Sequence, residues 1–358
     1  MKLLYIALDS LNHSIRICNE LVKKGYEITL VAMDEDYYDN ENIPIPDKKI
    51  KLIQDTLKNI ENPETFPYDK VKEKYDMIFG STMRCAPICS VLKGKMKIPW
   101  YNMVLDIPTH LLMRYKARRE LWETIYLPSL DYADKILLNT NIAMSEYKRI
   151  TGNRAKPCDV VTYPTHLPSK FFMEGLGKRG DYVISVGRLV AEKNFIIIPI
   201  ALSMIKGINK YVAIGPDKGQ LQKIKDMCKQ YGVEFEHYTN VSGEKKMELI
   251  SKSAMMIYPQ HTEYIGGLPP YEGMFCGKPV ICSMYKILID LYGPNALYFT
   301  PGEVLELAKN ISFVMSCKDE LYERLGQNAA EFAEIEAGYE KFADGLHNFL
   351  ENKKEEEK

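Results

Sequence analysis

Short apolar runs alternate with amphipathic segments along most of this chain, and the alternation predicts repeated strand–helix–strand units. Residues 3–8 are apolar throughout, as expected of a strand buried on both faces of a parallel sheet. Helical spacing then runs to Gly25, and residues 26–32 form the next predicted strand. The pattern therefore predicts an α/β fold that begins with a strand–helix–strand unit.

The same alternation continues in two halves that are separated by a stretch without periodicity. Proline, glycine and lysine accumulate between Pro164 and Gly180, which is typical of a linker. We therefore predict a first domain at residues 1–165, a linker at 166–180, a second domain at 181–335 and a C-terminal segment at 336–358. The further predicted strands are residues 76–80, 132–140, 160–164, 182–186, 211–214, 233–238, 255–258, 280–282 and 298–299.

Composition narrows the class of protein without naming its chemistry. A chain of 358 residues exceeds a usual single core, and 46% hydrophobic with 27% charged residues is ordinary for a globular protein. A net charge of -1 gives no general attraction to nucleic acid or to membranes. The eight cysteines show no CxxC pairs, so we expect free thiols in a reducing compartment and a cytoplasmic location.

Residues 256–282 hold the segment richest in chemistry. An apolar strand closes at Pro259, Gly266-Gly267 forms a turn, and a short helix that carries Glu272 ends at Gly277. Glu263 precedes the turn, so two carboxylates bracket the start of the helix. Helix starts attract phosphates and sugar hydroxyls through free N–H groups, which predicts a polar ligand here.

This segment resembles the paired-glutamate signature of retaining GT-B glycosyltransferases, in particular of glycosyltransferase family 4. It departs at Gly273, where the family has alanine, and in the spacing of Glu263 and Glu272, which is one residue longer. The resemblance implies two Rossmann-like domains facing each other across a cleft, with the last helix, residues 339–350, crossing back to the first domain. The positions in register are Leu268, Pro269, Pro270, Glu272, Met274, Cys276, Gly277, Pro279 and Val280.

A second motif starts at Gly187 and matches the family pattern G-R-L-x-x-E-K-N. It follows a predicted strand, and open α/β sheets bind ligands at the carboxyl ends of their strands. Arg188 offers a planar fork to phosphate oxygens. Lys193 offers a point charge from the start of a helix that residues 193–195 are predicted to open. The resemblance implies that these two cations replace a divalent metal at the leaving diphosphate, so no metal or cofactor is expected.

The resemblance also assigns roles in donor binding to residues of both motifs. Glu272 would accept hydrogen bonds from the ribose hydroxyls, and Glu263 would face the donor sugar in a catalytic role beside Arg188 and Lys193. The N–H groups of the turn would face sugar or phosphate, and the base would lie near the end of the strand at 233–238. The remaining donor-side candidates are Gly266, Gly267, Leu268, Asn240 and Val241.

The first half matches the family more loosely. The loop after the first strand lacks the family's glycine pair, so either Ser10, Asn12 or His13 supplies hydrogen bonds to the donor or the loop is an ordinary helix cap. The family has a histidine that is thought to face the reacting sugar, and the corresponding residue here is Leu105. On the acceptor side this leaves Asp106, which is retained, and His110, which either substitutes from the next turn or is structural. The acidic residues at 34–36 mimic a metal-binding D-x-D motif, but a solvated loop is the preferred interpretation.

Basic residues dominate residues 84–119, where Asp106 is the only acid. A basic face here would suit an anionic acceptor or a peripheral contact with a membrane, and a solvated helix face is the alternative. The basic residues are Arg84, Lys93, Lys95, Lys97, Arg114, Lys116, Arg118 and Arg119.

The resemblance implies a retaining glycosyltransferase that moves a hexose from a UDP- or GDP-sugar to a glycan, lipid or protein acceptor. One alternative is a catalytically weak protein that binds nucleotide sugars. Another is a GT-B relative with a different reaction, such as a sugar-nucleotide epimerase. A Rossmann dehydrogenase is disfavoured because no G-x-G-x-x-G follows the first strand, and no nucleic-acid partner is expected.

Overall fold

The computed structural model describes residues 1–8, 11–33, 44–105, 120–164, 178–261 and 267–351. The chain forms two compact units. The first comprises Met1–Tyr163 together with Tyr339–Lys358, and the second comprises Pro164–Gly338. Both are α/β units built on a parallel sheet, as the alternation of apolar and amphipathic segments predicted.

The first unit has a seven-stranded parallel sheet in the order β3-β2-β1-β4-β5-β6-β7. Its strands are β1 (Lys2–Ala7), β2 (Glu27–Met33), β3 (Ile50–Asp55), β4 (Met77–Gly80), β5 (Trp100–Val104), β6 (Lys135–Leu138) and β7 (Cys158–Val160). Its helices are α1 (Leu11–Lys23), α2 (Leu57–Glu61), α3 (Ala86–Met96), α4 (Leu127–Leu130) and α5 (Asn141–Thr151), and α13 (Tyr339–Leu350) from the end of the chain.

The core of this unit lies on both faces of strand β1. Leu3, Tyr5 and Ala7 belong to the cluster that packs against α1 and α13, and Leu4 and Ile6 on the opposite face are also fully buried. Burial on both faces explains why this strand is apolar without alternation.

The second unit has a six-stranded parallel sheet in the order β10-β9-β8-β11-β12-β13. Its strands are β8 (Val183–Val186), β9 (Lys210–Ile214), β10 (Glu234–Tyr238), β11 (Met255–Tyr258), β12 (Val280–Ser283) and β13 (Leu297–Phe299). Its helices are α6 (Ile197–Ser203), α7 (Leu221–Tyr231), α8 (Gly243–Ser251), α9 (Pro269–Phe275), α10 (Lys286–Tyr292), α11 (Val304–Ser316) and α12 (Asp319–Ala337).

One predicted strand and one predicted helix start need correction. The last strand of the first unit lies two residues earlier than predicted, at Cys158–Val160 instead of 160–164. Residues 193–195 do not open a helix. Ala191–Lys193 form a 3-10 turn, Asn194 takes a left-handed backbone with φ 51°, and helix α6 begins only at Ile197. A left-handed residue cannot continue a right-handed helix, so it separates the two elements.

Candidate donor-binding site

Strands β8 and β11 lie at the centre of the second sheet, where the order of strands reverses. The chain proceeds from β8 outward to β9 and β10 on one side, and from β11 outward to β12 and β13 on the other. The connections therefore diverge and leave a crevice at the carboxyl ends of β8 and β11, which is where open α/β sheets bind ligands. Both motifs singled out from the sequence follow these two strands.

The loop after β8 turns sharply at Gly187. This residue has φ +141°, and neighbouring Gly215, after β9, has φ +140°. A Cβ at Gly215 would overlap the carbonyl oxygen of Gly187, so the two loops approach more closely than side chains would allow. Leu189 N then donates to Pro216 O over 2.9 Å, which fixes the loop on its neighbour.

Arg188 projects from this fixed loop as an exposed residue. Within the described ranges, its guanidinium has no ion pair and no hydrogen bond to a protein group. A planar guanidinium in this position can bind a phosphate with two parallel hydrogen bonds without first breaking an internal contact.

Lys193 lies beside Arg188 and reaches from the β8 loop to the end of β11. Its ammonium donates to the Tyr258 hydroxyl and, over 3.0 Å, to Gln260 Oε1. Burial first, and the neighbouring Arg188 charge second, lower the pKa of Lys193 to about 7, whereas Glu192 acts in the opposite direction. Lys193 is the last residue of the 3-10 turn, and not of a helix. Because its pKa is close to 7, a nearby anion would favour its charged form.

The loop after β11 is tied to the same point. His261 N donates to Glu192 O over 2.7 Å, which joins the loops of the two central strands through their backbones. Gly267 packs on the Tyr258 hydroxyl so closely that a Cβ would overlap it, and the Tyr292 hydroxyl donates to Gly267 O. Gly267 is therefore required by packing, in addition to its predicted role at the turn.

Glu272 lies in the first turn of helix α9 and is 6% exposed. Lys246, on helix α8, donates to its Oε1 atom over 2.8 Å. The Oε2 atom is buried, and no hydrogen-bond partner for it occurs in the part of the chain that the structure describes. A buried carboxylate oxygen without a partner is costly, so this atom is suited to a hydroxyl donor from a ligand.

Asn240 and Val241 lie between β10 and α8, at the same edge of the sheet. Asn240 is exposed and has a left-handed backbone with φ 53°. Ser242 then caps α8, since its side chain accepts from Lys245 N over 3.2 Å. These residues therefore precede the helix whose Lys246 pairs with Glu272.

The start of α9 offers fewer backbone donors than its position suggests. Pro269 and Pro270 occupy its first two positions, and proline has no N–H group. The candidate donors that remain in the described part of this loop are the N–H groups of Gly267 and Leu268. The alanine of the family motif is Gly273 here, where a Cβ would lie 3.0 Å from Met256 Cβ.

Several predicted site residues lie outside the described residues: Ser10, Asp106, His110, Glu263 and Gly266, together with the acidic residues 34–36. The structure therefore brings together Arg188, Lys193, Gly267 and Glu272 at one edge of the second sheet. The roles of the others stay predictions.

Sequence reasoning missed Tyr258, Gln260 and Lys246. The first two flank the proline that ends β11, and a polar residue directly after a buried strand was the available signal. Lys246 lies on an amphipathic helix with other lysines, and nothing in that pattern distinguished it.

In the first unit, polar residues at the start of helix α1 make internal contacts. His13 Nδ1 is 2.6 Å from the Tyr339 hydroxyl, and its ring lies between the rings of Tyr163 and Tyr339. Asn12 is buried, and its Oδ1 accepts from Arg16 Nε over 2.8 Å. These contacts are internal to the unit, and both residues lie within helix α1. Ser10 lies outside the described residues, so the choice between donor binding and a helix cap stays a prediction.

In the predicted basic region, Arg84 forms an ion pair with Glu61, and Lys93 forms one with Asp134 at 2.6 Å. These two charges are therefore compensated, and residues 106–119 of the region lie outside the described residues. All eight cysteines are free thiols, as expected.

Among the residues that the structure describes, no three His, Cys, Asp or Glu side chains form a group that could hold a metal ion. Within the same ranges, no helix combines the length and apolar composition that a membrane span requires.

Solved structures of other proteins have the same architecture. Sucrose-phosphate synthase of Thermosynechococcus elongatus superposes with a TM-score of 0.76 at 15% identity, covering 98% of each chain. Anabaena HepE in complex with UDP-glucose superposes with a TM-score of 0.74 at 16% identity, covering 98% of this chain and 100% of that one. The chain has the GT-B fold of glycosyltransferases, with two Rossmann-like units, as the motifs predicted.

The sequence identifies the second unit more closely. Residues 168–332 match the family described as glycosyl transferases group 1. The alpha-1,3/1,6-mannosyltransferase ALG2 of Dictyostelium discoideum is 25% identical over 253 residues, which are 58% of this chain and 59% of that protein. The chain thus spans about three fifths of the curated relative that it matches. The resemblance to GT-B glycosyltransferases stated from the motifs is confirmed by these matches.

Proposed function

We propose that this protein is a retaining glycosyltransferase that moves a hexose from a UDP- or GDP-sugar to a glycan, lipid or protein acceptor. The observation that carries the proposal is the pair of cations, Arg188 and Lys193, in the loop after the central strand β8. They lie at the sheet edge where helix α9 presents Glu272. This combination provides for the two polar parts of a nucleoside diphosphate, its phosphates and its ribose.

Transfer breaks the bond between the anomeric carbon and a phosphate oxygen, so negative charge builds on the leaving diphosphate. Cations already fixed at that point stabilise the transition state more than the ground state. In our proposal Arg188 binds phosphate oxygens with its planar fork, and Lys193 donates its remaining N–H. For the stereochemistry we propose front-face attack, with the leaving phosphate accepting the proton of the acceptor hydroxyl.

For the nucleoside we propose that Glu272 Oε2 accepts hydrogen bonds from the ribose hydroxyls. The base would lie near Asn240 and Val241, and the N–H groups of Gly267 and Leu268 would face the sugar or the phosphates. The buried, unpartnered Oε2 atom supports the ribose role, because a bound hydroxyl would satisfy it.

We further propose that the two cations make a divalent metal unnecessary and that the protein works in the cytoplasm, where its free cysteines stay reduced. Acceptor binding belongs to the first unit in this proposal, with Asp106 and His110 as candidates. A peripheral membrane contact through residues 84–119 is part of it, although Arg84 and Lys93 have acidic partners.

A screen of nucleotide sugars tests the function. UDP-glucose and GDP-mannose come first, since one neighbour binds UDP-glucose and one relative is a mannosyltransferase. A donor at 100 times its Kd should stabilise the fold by about 2.7 kcal/mol, seen as a higher Tm. Slow release of free UDP or GDP, unchanged by EDTA, would establish turnover, and NMR of the product would give the anomeric configuration.

Binding without turnover across a panel of acceptors would favour the catalytically weak binding protein. No stabilisation by any nucleotide sugar would contradict the proposal.

A further inference from the structure

The ammonium of Lys193 is held by two side chains that follow or end strand β11. It donates to the Tyr258 hydroxyl and to Gln260 Oε1, and it lies 4.4 Å from the centre of the Tyr258 ring. Tyr258 is fully buried and Gln260 is 2% exposed. The lysine thus belongs to the β8 loop, while the groups that orient its charge belong to the neighbouring strand.

The hydrogen bonds of this cluster can be assigned without conflict. Burial raises the pKa of Tyr258, so its hydroxyl keeps its proton. That hydroxyl donates to Gln260 Oε1 over 3.0 Å and accepts from Lys193. An ammonium has three N–H donors, and these two contacts use two of them. One donor is left for a ligand.

The two side chains that hold the ammonium are buried, and Tyr258 is packed from several sides. Gly267 lies directly on the Tyr258 hydroxyl, and Tyr292 holds the carbonyl of Gly267. A charge fixed in advance binds a phosphate with a smaller loss of side-chain freedom than a mobile lysine would.

We propose that Tyr258 and Gln260 are positioning residues that fix the Lys193 ammonium for the terminal phosphate of a nucleoside diphosphate. This inference rests on the proposed function, because it presumes that the diphosphate binds at Lys193. It adds the two residues that aim the charge, and it predicts that they act on the diphosphate and not on the rest of the nucleotide.

The test is the binding of UDP, UMP, GDP and GMP to the full chain by calorimetry, with the variant Tyr258→Phe. The variant keeps the ring and removes the hydroxyl. We expect about tenfold weaker binding of the nucleoside diphosphate that the wild type prefers, as for a lost hydrogen bond to a charged group. Binding of the matching monophosphate should be unchanged. Gln260→Met should act in the same direction by about threefold, and it provides a second test if Tyr258→Phe does not fold.

Tyr322→Phe is the matched control. Tyr322 is also fully buried, and its hydroxyl donates to a backbone carbonyl, Ala254 O, over 2.7 Å. It should lower the Tm as Tyr258→Phe does and leave the ratio of diphosphate to monophosphate affinity unchanged.

An unchanged ratio in both Tyr258→Phe and Gln260→Met would overturn the inference and leave the proposed function intact. Equal loss of diphosphate and monophosphate binding would also overturn it, since that result indicates a structural role. If the wild type bound neither UDP nor GDP, the proposed function and the inference would fail together.

Discussion

The two units of this chain share one topology and use it differently. In each sheet a central strand, β1 or β8, lies beside strand β4 or β11, and the strand order reverses between them. After β8 the chain makes a turn through Gly187 and presents Arg188 and Lys193. After β1 helix α1 begins at Leu11, and its polar side chains are engaged within the unit.

The two units differ in the contacts made by the described residues that follow the central strand. His13 is bound by Tyr339 of helix α13, so the C-terminal helix takes up a group that could otherwise bind a ligand. In the second unit the loop carries an exposed arginine, and the groups around Lys193 come from strand β11. Both sheets present a carboxyl edge, and the two units differ in whether the polar groups that follow the central strand are already engaged within the unit.

Arg188→Ala should have the largest effect. We expect a loss of about 10²–10³ in kcat, comparable with the removal of one donor that stabilises developing negative charge. The free energy of unfolding should change by about 0.5 kcal/mol or less, as for other surface substitutions, because the guanidinium is exposed. Donor turnover and thermal melts measure the two quantities.

The matched control in the first unit is Arg149→Ala. Arg149 is an exposed arginine on α5 that pairs with Glu146 at 2.8 Å. Its loss should leave turnover unchanged. Near-normal turnover of Arg188→Ala would remove the phosphate-binding role from the second unit.

Glu272→Gln should weaken the binding of UDP and UMP, or of GDP and GMP, alike and by more than about tenfold. The reason is that the ribose is common to both nucleotides, whereas the cations act on the additional phosphate. Calorimetry with the diphosphate and the monophosphate measures the two losses of affinity. Glu248→Gln is the control, because Glu248 pairs with Lys245 and Lys252 on the exposed side of α8. A selective loss of diphosphate binding in Glu272→Gln would contradict the ribose assignment.

The affinity for UDP or GDP should fall as the pH rises above 7, by up to about tenfold per pH unit. Lys193 has a pKa of about 7 in the free protein. A bound diphosphate favours the ammonium and raises this pKa, so the complex takes up a proton at higher pH. Arg188, Glu192 and Tyr258 are the other ionisable groups that face Lys193, and their contributions remain in a Lys193→Met variant.

Calorimetry between pH 7 and 9 avoids the second phosphate ionisation, near pH 6. The Lys193→Met variant should bind more weakly and lose the slope, and an equal slope in the variant would contradict the assignment. The free energy of unfolding should depend on pH with the opposite sign to the nucleotide affinity. The folded chain holds fewer protons on Lys193 than the unfolded chain between pH 7 and 10. The stability of the wild type relative to Lys193→Met should therefore rise with pH in that window.

The smallest effect belongs to the first unit. Tyr339→Phe removes the hydrogen bond to His13 and should lower the free energy of unfolding by about 1 kcal/mol. Nucleotide binding should not change, because the contact ties helix α13 to α1 within the first unit. Denaturant unfolding and calorimetry measure the two. A large loss of nucleotide affinity would show that the first unit takes part in donor binding, as the alternative interpretation of its loop predicts.

The local sequence was sufficient to predict the bounds of an element whose own residues determine its secondary structure. Strand β11 has the predicted bounds, residues 255–258, because an apolar run determines them. The motif around Arg188 and Lys193 identified the loop after β8, but it did not reveal that Asn194 would interrupt a helix there. The outcome depends on the tertiary contacts of the loop with its neighbours.

The partners of the charged groups could not be predicted from the sequence. Tyr258 lies 65 residues from Lys193, and Lys246 lies 26 residues from Glu272. Such pairs meet only after the order of the strands is known, and neither motif contains both members. The missed residues are therefore those that position the predicted ones.

The most direct test of the central claim is a crystal structure of the full chain with the preferred nucleoside diphosphate. The account predicts a diphosphate between Arg188 and Lys193, with a ribose hydroxyl on Glu272 Oε2. A nucleotide bound with its phosphates away from both cations, or no bound nucleotide at saturating concentration, would contradict it.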